Sequence, residues 1–167
     1  PSGADCFGSY MEGPGASTVS AVMYGVGDGG GNRTLSSISG SKWTTNDIIG
    51  VAADFDNGKI WFSKNGDWDF AYASSDPATD ASPMIAASSS MRDYTIKMDR
   101  PWLPAVGNWS GASRTYKFNF GADSSFSGSK TSGSANAADD TGYGDFYYDV
   151  PAGFLALCSG NLTTGTD

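Results

Sequence analysis

The chain contains no histidine, and Glu12 is its one glutamate among 167 residues. Without an imidazole, Ser-His-Asp and Cys-His catalysis are excluded, as are the common zinc sites. Sandwich-fold glycosidases work with paired acidic residues, mostly Glu, so an Asp pair would have to carry that chemistry here. Asp54 and Asp56 lie two apart, on one side of an extended strand. As acid and base they would need a concave, ring-stacking cleft, and turn chemistry accounts for them better. Cysteine is scarce too. Cys6 and Cys158 sit near opposite ends and read as two separate buried thiols of a reducing compartment, the alternative being a bridge between neighbouring terminal strands. No run approaches the ~18 apolar residues of a membrane span. No signal peptide and no initiator Met open the chain, so Pro1 points to a processed chain or a piece of a longer one.

Basic residues are outnumbered, with 10 Lys and Arg against 18 acidic residues and a net charge of −8. That balance repels phosphate backbones and anionic membrane surfaces, so neither nucleic acid nor membrane insertion is expected. The bland account of the acidity is solubility. Helical periodicity is missing as well. With 23 Gly, abundant Ser and 13% aromatics, the composition fits strands and turns. The length is that of one domain with room for a sizeable core, spanning residues 1–167.

The clearest local pattern runs from Asp47 to Gly66. Val51, Ala53 and Phe55 alternate with Ala52, Asp54 and Asp56, the period of a half-buried strand. Asn57-Gly58 suits a two-residue hairpin turn. Ile60 and Phe62 then alternate with Lys59, Trp61 and Ser63 on a return strand, and Lys64-Asn65-Gly66 makes a second turn. Elsewhere, residues 1–17 are Gly-rich and poorly patterned, and Thr18–Gly25 alternates as a strand. Residues 83–87, 91–98, 103–106, 113–120 and 154–158 are further strand candidates. Residues 122–142, rich in Ser, Gly and Ala, predict a long surface loop, and residues 159–167 a tail or linker. The glycine-dense stretch 25–32 lacks the Lys-Ser/Thr ending of a phosphate loop. Its Asp28 and Asn32, with backbone carbonyls, are weak calcium candidates, and Asp139, Asp140, Asp145 and Asp149 form a second acidic loop of that kind. No other cofactor is expected. Three sequons, at Asn32, Asn108 and Asn161, matter only in a eukaryotic secretory setting.

The Asp47–Gly66 stretch resembles the central signature of SPRY domains, D-x-I-G-V-x-x-D-x-D-x-G-x-I-x-F-x-K-N-G, nearly without gaps. Leu103-Pro-Ala-Val106, Lys117-Phe-Asn-Phe-Gly121 and Gly153-Phe-Leu-Ala-Leu157 are similar to later strands of that family, so the likeness covers roughly residues 47–158. The family's opening Trp/Tyr/Glu-rich strand has no counterpart, so the domain is expected to lack its first strand. The stretches 86–102 and 122–152 are longer than the family's links. The resemblance implies an all-β fold, an antiparallel β-sandwich of jelly-roll and lectin-like form with very little helix.

It also implies a non-catalytic binding module that recognises partners through loops at one edge. Those loops match least, so candidates rest on residue chemistry: Trp68, Tyr72 and Trp109 in polar, turn-bounded segments, then Arg92 and Tyr94. Exposed Trp and Tyr anchor partners because they bury large areas at little entropic cost. Trp43 and Trp61 read as structural. The ending Val150–Leu162 resembles the exit of SPRY-type segments in structural proteins of tailed phages. The expected role is therefore a part of a virion: a capsid-associated or decoration protein, a fibre or a tail appendage. Its expected partners are other virion subunits, copies of itself within an assembly, or a host-surface protein or glycan. The alternatives are a lectin-like carbohydrate-binding module and a cytoplasmic SPRY adaptor that binds a peptide.

Overall fold

The computed structural model describes residues 6–11, 18–24, 33–39, 44–57, 59–69, 74–83, 104, 113, 115–131 and 137–161. The regular elements among the described residues are antiparallel β-strands with almost no helix: five strands and one short 3-10 turn, Pro77–Thr79. The chain divides into two compact units, Pro1–Asp76 with Asp80–Trp102, and Pro77–Thr79 with Leu103–Asp167.

The first unit holds two sheets. Strands β1 (Cys6–Met11), β2 (Thr18–Tyr24) and β3 (Arg33–Ser39) form an antiparallel meander in the order β1-β2-β3. Cys6 is in register with Tyr24 and Thr18 with Ser39, and a bulge interrupts β2 between Ala21 and Val22. Of these strands only β2 stands out in the sequence. β1 lies in the stretch that reads as unpatterned, and β3 has too few apolar residues to announce itself.

Strands β4 (Ile49–Asp54) and β5 (Lys59–Lys64) form the hairpin expected from the Asp47–Gly66 pattern, with Ile49 opposite Lys64 and Asp54 opposite Lys59. Its connection differs from the expected tight turn. Residues 55–58 lie between the last paired residues, and Asn57 does not take a positive φ. Asp54 is the reason: its carboxylate accepts the Asn57 backbone N–H at 3.0 Å and the Asn57 side-chain amide at 2.6 Å. This local capture holds the loop in a wider turn. The tight turn sits at the other end. Asn65 and Gly66 have φ of 53° and 84°, and Lys64 and Asp67 exchange backbone hydrogen bonds of 3.0 Å in both directions. Two central residues at positive φ make a type I′ turn, which asks for Asn-Gly.

Burial departs from simple alternation. In β5, Ile60, Trp61, Phe62 and Ser63 are all buried, so this strand is covered on both faces. In β4 the buried residue is Ala52, while Val51 is 59% exposed. The pairing explains the small side chains. Ala52 faces Trp61 and Gly50 faces Ser63 across the ladder. A Cβ on Gly50 would come closer than 3.0 Å to Ser63 Oγ, with the Trp68 ring 3.5 Å away. Glycine and alanine at these positions leave room for two indoles, and the Trp61 indole N–H donates to the Ala81 carbonyl at 2.9 Å.

The described residues of the second unit form turns rather than ladders. Residues 115–119 carry no strand pairing among the described residues, contrary to the core strand expected over 113–120. Tyr116, Phe118 and Phe120 are exposed, and the Phe118 and Phe120 rings stack at 5.9 Å. Likewise 154–158 is not a closing strand: Ala156 is buried, while Leu155 and Leu157 are exposed. The described residues of the 122–142 loop are firmly tied turns, held by the carboxylates of Asp123 and Asp139.

Candidate functional site

Two polar clusters organise the described residues, one in each unit. The first clasps the open end of the β4–β5 hairpin. Asp47 accepts the Thr44 backbone N–H at 2.6 Å, the Thr44 hydroxyl at 3.1 Å and the Asn65 side-chain amide at 2.7 Å, with Lys64 Nζ 3.4 Å away. Asn65 reaches back across the hairpin: its Oδ1 accepts Ile48 N–H at 2.9 Å, and its own N–H donates to the Ile48 carbonyl at 2.8 Å. Partial burial acts to raise the Asp47 pKa, but the Asn65 and Thr44 hydrogen bonds and the Lys64 charge outweigh it, so the carboxyl titrates below its ordinary value. Asp54 behaves alike, with desolvation opposed and overcome by the two Asn57 bonds and by Lys59. On the far side of β5, Lys59 pairs with Asp80.

The second cluster surrounds Asp139, which is only 6% exposed. Its Oδ1 accepts Thr141 N–H at 2.9 Å, the Thr141 hydroxyl at 2.6 Å and Tyr143 N–H at 3.0 Å. Its Oδ2 accepts Ala156 N–H at 2.8 Å and the Asn161 amide at 2.6 Å. Desolvation is the largest single influence and pushes the carboxyl up. The bonds from Thr141, Ala156, Asn161 and Tyr143 together hold it far below the usual carboxylate range. Asn161 completes the knot, donating to the Ala156 carbonyl at 3.0 Å and accepting the Thr141 hydroxyl at 2.7 Å. One carboxylate thus ties residues 139–143 to 156–161.

A neighbouring loop repeats the device. Asn119 Oδ1 accepts the N–H groups of Gly121, Ala122 and Asp123 at 2.8, 2.8 and 3.1 Å, and its amide donates to the Asp145 carbonyl at 2.8 Å. These bonds turn the chain after Asn119. Asp123 accepts the Ser125 hydroxyl and the Ser125 and Ser127 N–H groups, which lower its pKa. Lys117 donates to the Phe126 carbonyl at 2.9 Å and to the Ser129 hydroxyl.

These groups account for four of the acidic residues that sequence alone offers as catalytic or calcium-binding: Asp54, Asp139, Asp140 and Asp145. Both oxygens of Asp54 are taken by Asn57, which is turn chemistry. Asp140 accepts Gly153 N–H at 2.8 Å and Asp145 accepts Ser124 N–H at 3.1 Å, so these carboxylates point at different amides rather than at a common centre. Among the described residues no three acidic or cysteine side chains are grouped to hold a metal ion. Cys158 is a free, half-buried thiol.

Of the aromatic binding candidates, Trp68 is described. It is half-buried, with its ring edge over Gly50, so part of it belongs to the hairpin's packing. Tyr72, Arg92, Tyr94 and Trp109 lie outside the described residues, as do the calcium candidates Asp28 and Asn32. Sequence reasoning misses Tyr116, Phe118, Phe120, Leu155 and Leu157. Their alternation marks strands, and a strand pattern gives no sign of being left uncovered. No protein-family model matches the chain, and neither does any curated protein or solved structure.

Proposed function

We propose that the chain is a SPRY-like antiparallel β-sandwich, of the jelly-roll and lectin-like form, that acts as a non-catalytic recognition and assembly module in a virion structural protein of a tailed phage. The observation that carries this reading is the hairpin. The residues that resemble the SPRY signature, Asp47 to Gly66, are the ones that pair as β4 and β5, with a type I′ turn at Asn65-Gly66 directly after β5. Several parts of the signature therefore have a mechanical role. Its first Asp clasps the hairpin end, its Gly permits close packing, Lys-Asn-Gly forms the turn, and apolar side chains of the return strand are buried.

Two further features support a scaffold that binds rather than one that catalyses. Asp54, Asp123 and Asp139 spend their oxygens on local N–H and O–H donors, leaving them poorly placed to move protons for a substrate. Tyr116, Phe118, Phe120, Leu155 and Leu157 are exposed and the Phe118 and Phe120 rings stack, and an exposed apolar patch is a mark of interaction sites. In a virion a neighbouring subunit covers such a surface. Together with the phage-like run Val150–Leu162, this favours a capsid-associated protein, a fibre or a tail appendage over a cellular adaptor.

The test is to locate the native protein. It is expected to co-purify with phage particles, and Phe118→Ser is expected to reduce its incorporation while leaving β4–β5 protected from hydrogen exchange. Recovery of the native protein only as a soluble cellular factor would overturn the reading. Saturable sugar binding abolished by Phe118→Ser or Trp68→Ala would replace it with the lectin-like one.

A further inference from the structure

Asn65 stands at a chemically fragile position. An asparagine side chain followed by glycine is open to attack by the next backbone nitrogen, because glycine has no Cβ to obstruct the approach, and asparagine is among the thermolabile residues. The reaction joins Gly66 N to Asn65 Cγ and breaks the Cγ–Nδ2 bond. Ammonia leaves with the proton from Gly66 N, and water then opens the cyclic imide at either carbonyl. The product is aspartate or isoaspartate at position 65.

The fold restrains the asparagine side of this reaction. The Asn65 Nδ2 that must depart is engaged by Asp47 Oδ1 at 2.7 Å, and its Oδ1 is held by Ile48 N–H at 2.9 Å. The Asn65 backbone is pinned by the 2.8 Å bond to the Ile48 carbonyl and by the turn's positive φ of 53°. Ring closure therefore requires the clasp to open first. Once closed and hydrolysed, the clasp cannot re-form. A carboxylate would replace the amide that donates to Asp47, setting two negative charges at hydrogen-bonding distance, and an isoaspartate would also lengthen the backbone of a two-residue turn.

We propose that Asn65–Gly66 is a deamidation site kept closed by the folded hairpin, and that its reaction releases the β4–β5 end irreversibly. The site is a chemical clock that runs when the hairpin opens. This inference stands apart from the functional reading above, because it needs only the clasp geometry.

The experiment compares the intact chain at mildly alkaline pH in buffer and in concentrated urea, with peptide mapping by mass spectrometry to quantify aspartate and isoaspartate at residue 65. The folded protein is expected to react at least about tenfold more slowly, which corresponds to an opening free energy of about 1.4 kcal/mol. Equal rates folded and unfolded would overturn the proposal. A pair of variants tests the consequence. Asn65→Asp is expected to lower the urea midpoint at neutral pH. The double variant D47N/N65D is expected to recover much of the loss, because donor and acceptor simply exchange sides while the remaining side-chain oxygen at position 47 still accepts from Thr44. An Asn65→Asp protein as stable as the parent would overturn the release step, and so would a double variant no better than the single one. Should Asn65→Asp fail to fold, the double variant and the rate comparison in the parent chain still decide.

Discussion

Trp61 should be the most costly side chain to truncate in the hairpin. It is 1% exposed, flanked by Ile60 at 0% and Phe62 at 6%, and its indole N–H donates to the Ala81 carbonyl at 2.9 Å. Opposite it stands Ala52, too small to fill the space an indole leaves. Trp61→Ala therefore loses the burial of the ring, leaves a cavity and frees a carbonyl acceptor, at about 3–5 kcal/mol. Against a typical total of about 5–15 kcal/mol this is about a fifth or more of the protein's stability. Trp61→Phe keeps an aromatic body and loses the hydrogen bond, net about 0.5–1.5 kcal/mol, plus part of the ring volume, so about 1–3 kcal/mol in all. Val51, one position from Ala52 in β4, is the control. At 59% exposure its change to Ala should stay within about 0.5 kcal/mol. Urea unfolding followed by far-UV circular dichroism, with amide exchange of residues 49–64 as the local readout, measures all three. A Trp61→Ala loss below about 1 kcal/mol, or a Val51→Ala loss as large as that of Trp61→Phe, would refute the burial pattern.

Acidification should destabilise the protein in a defined window. Asp47, Asp54, Asp123 and Asp139 all have folded pKa values below their ordinary ones. Their contribution is therefore fully present above the unfolded value of about 3.9 and is lost as pH falls below it. No imidazole adds a step near pH 6.5, so thermal midpoints should be nearly level from about pH 6 to 5 and drop below about 4. Asp139→Asn should shrink that drop and lower the midpoint at neutral pH. Gly50→Val should cost about 1–3 kcal/mol, since its Cβ would press on the buried Ser63 Oγ; a neutral result by thermal melt would contradict the packing. Asn119→Ala should cost about 1–3 kcal/mol by leaving three N–H groups without their acceptor, read by melting temperature and by exchange at residues 121–123.

The hairpin is legible in the sequence because several local rules agree there. Apolar spacing and the Lys64-Asn65-Gly66 turn serve one geometry, and strand positions follow from it, whereas the tight connection expected at Asn57-Gly58 yields to the Asp54–Asn57 bonds. Which face is buried is not legible. Val51 is a strong strand former, yet it points to solvent while Ala52 packs under Trp61, because covering depends on what lies across the ladder and beyond it. β1 and β3 escape notice since their sequences, CFGSYM and RTLSSIS, carry little apolar alternation. Pairing with β2 supplies what propensity does not. The 122–142 loop reads as loose from its Ser, Gly and Ala content, but Asp123 and Asp139 organise its turns. A single carboxylate collecting several N–H groups is a tertiary event, with Ala156 and Asn161 reaching Asp139 from 17 and 22 residues away, and no local pattern announces it. Among the binding aromatics, Trp68 stands out by its polar surroundings, yet its ring is partly committed to Gly50.

The central claim is that this chain is a SPRY-like sandwich whose exposed apolar surface is covered by a neighbouring subunit in a virion. A side-chain-resolution structure of the protein in its native assembly tests it most directly. The account predicts a two-sheet sandwich containing β4 and β5, with Phe118, Phe120 and Leu155 buried against another subunit. A different architecture around the hairpin, or a sandwich in its assembly with those side chains open to solvent or covered by the chain itself, would contradict it.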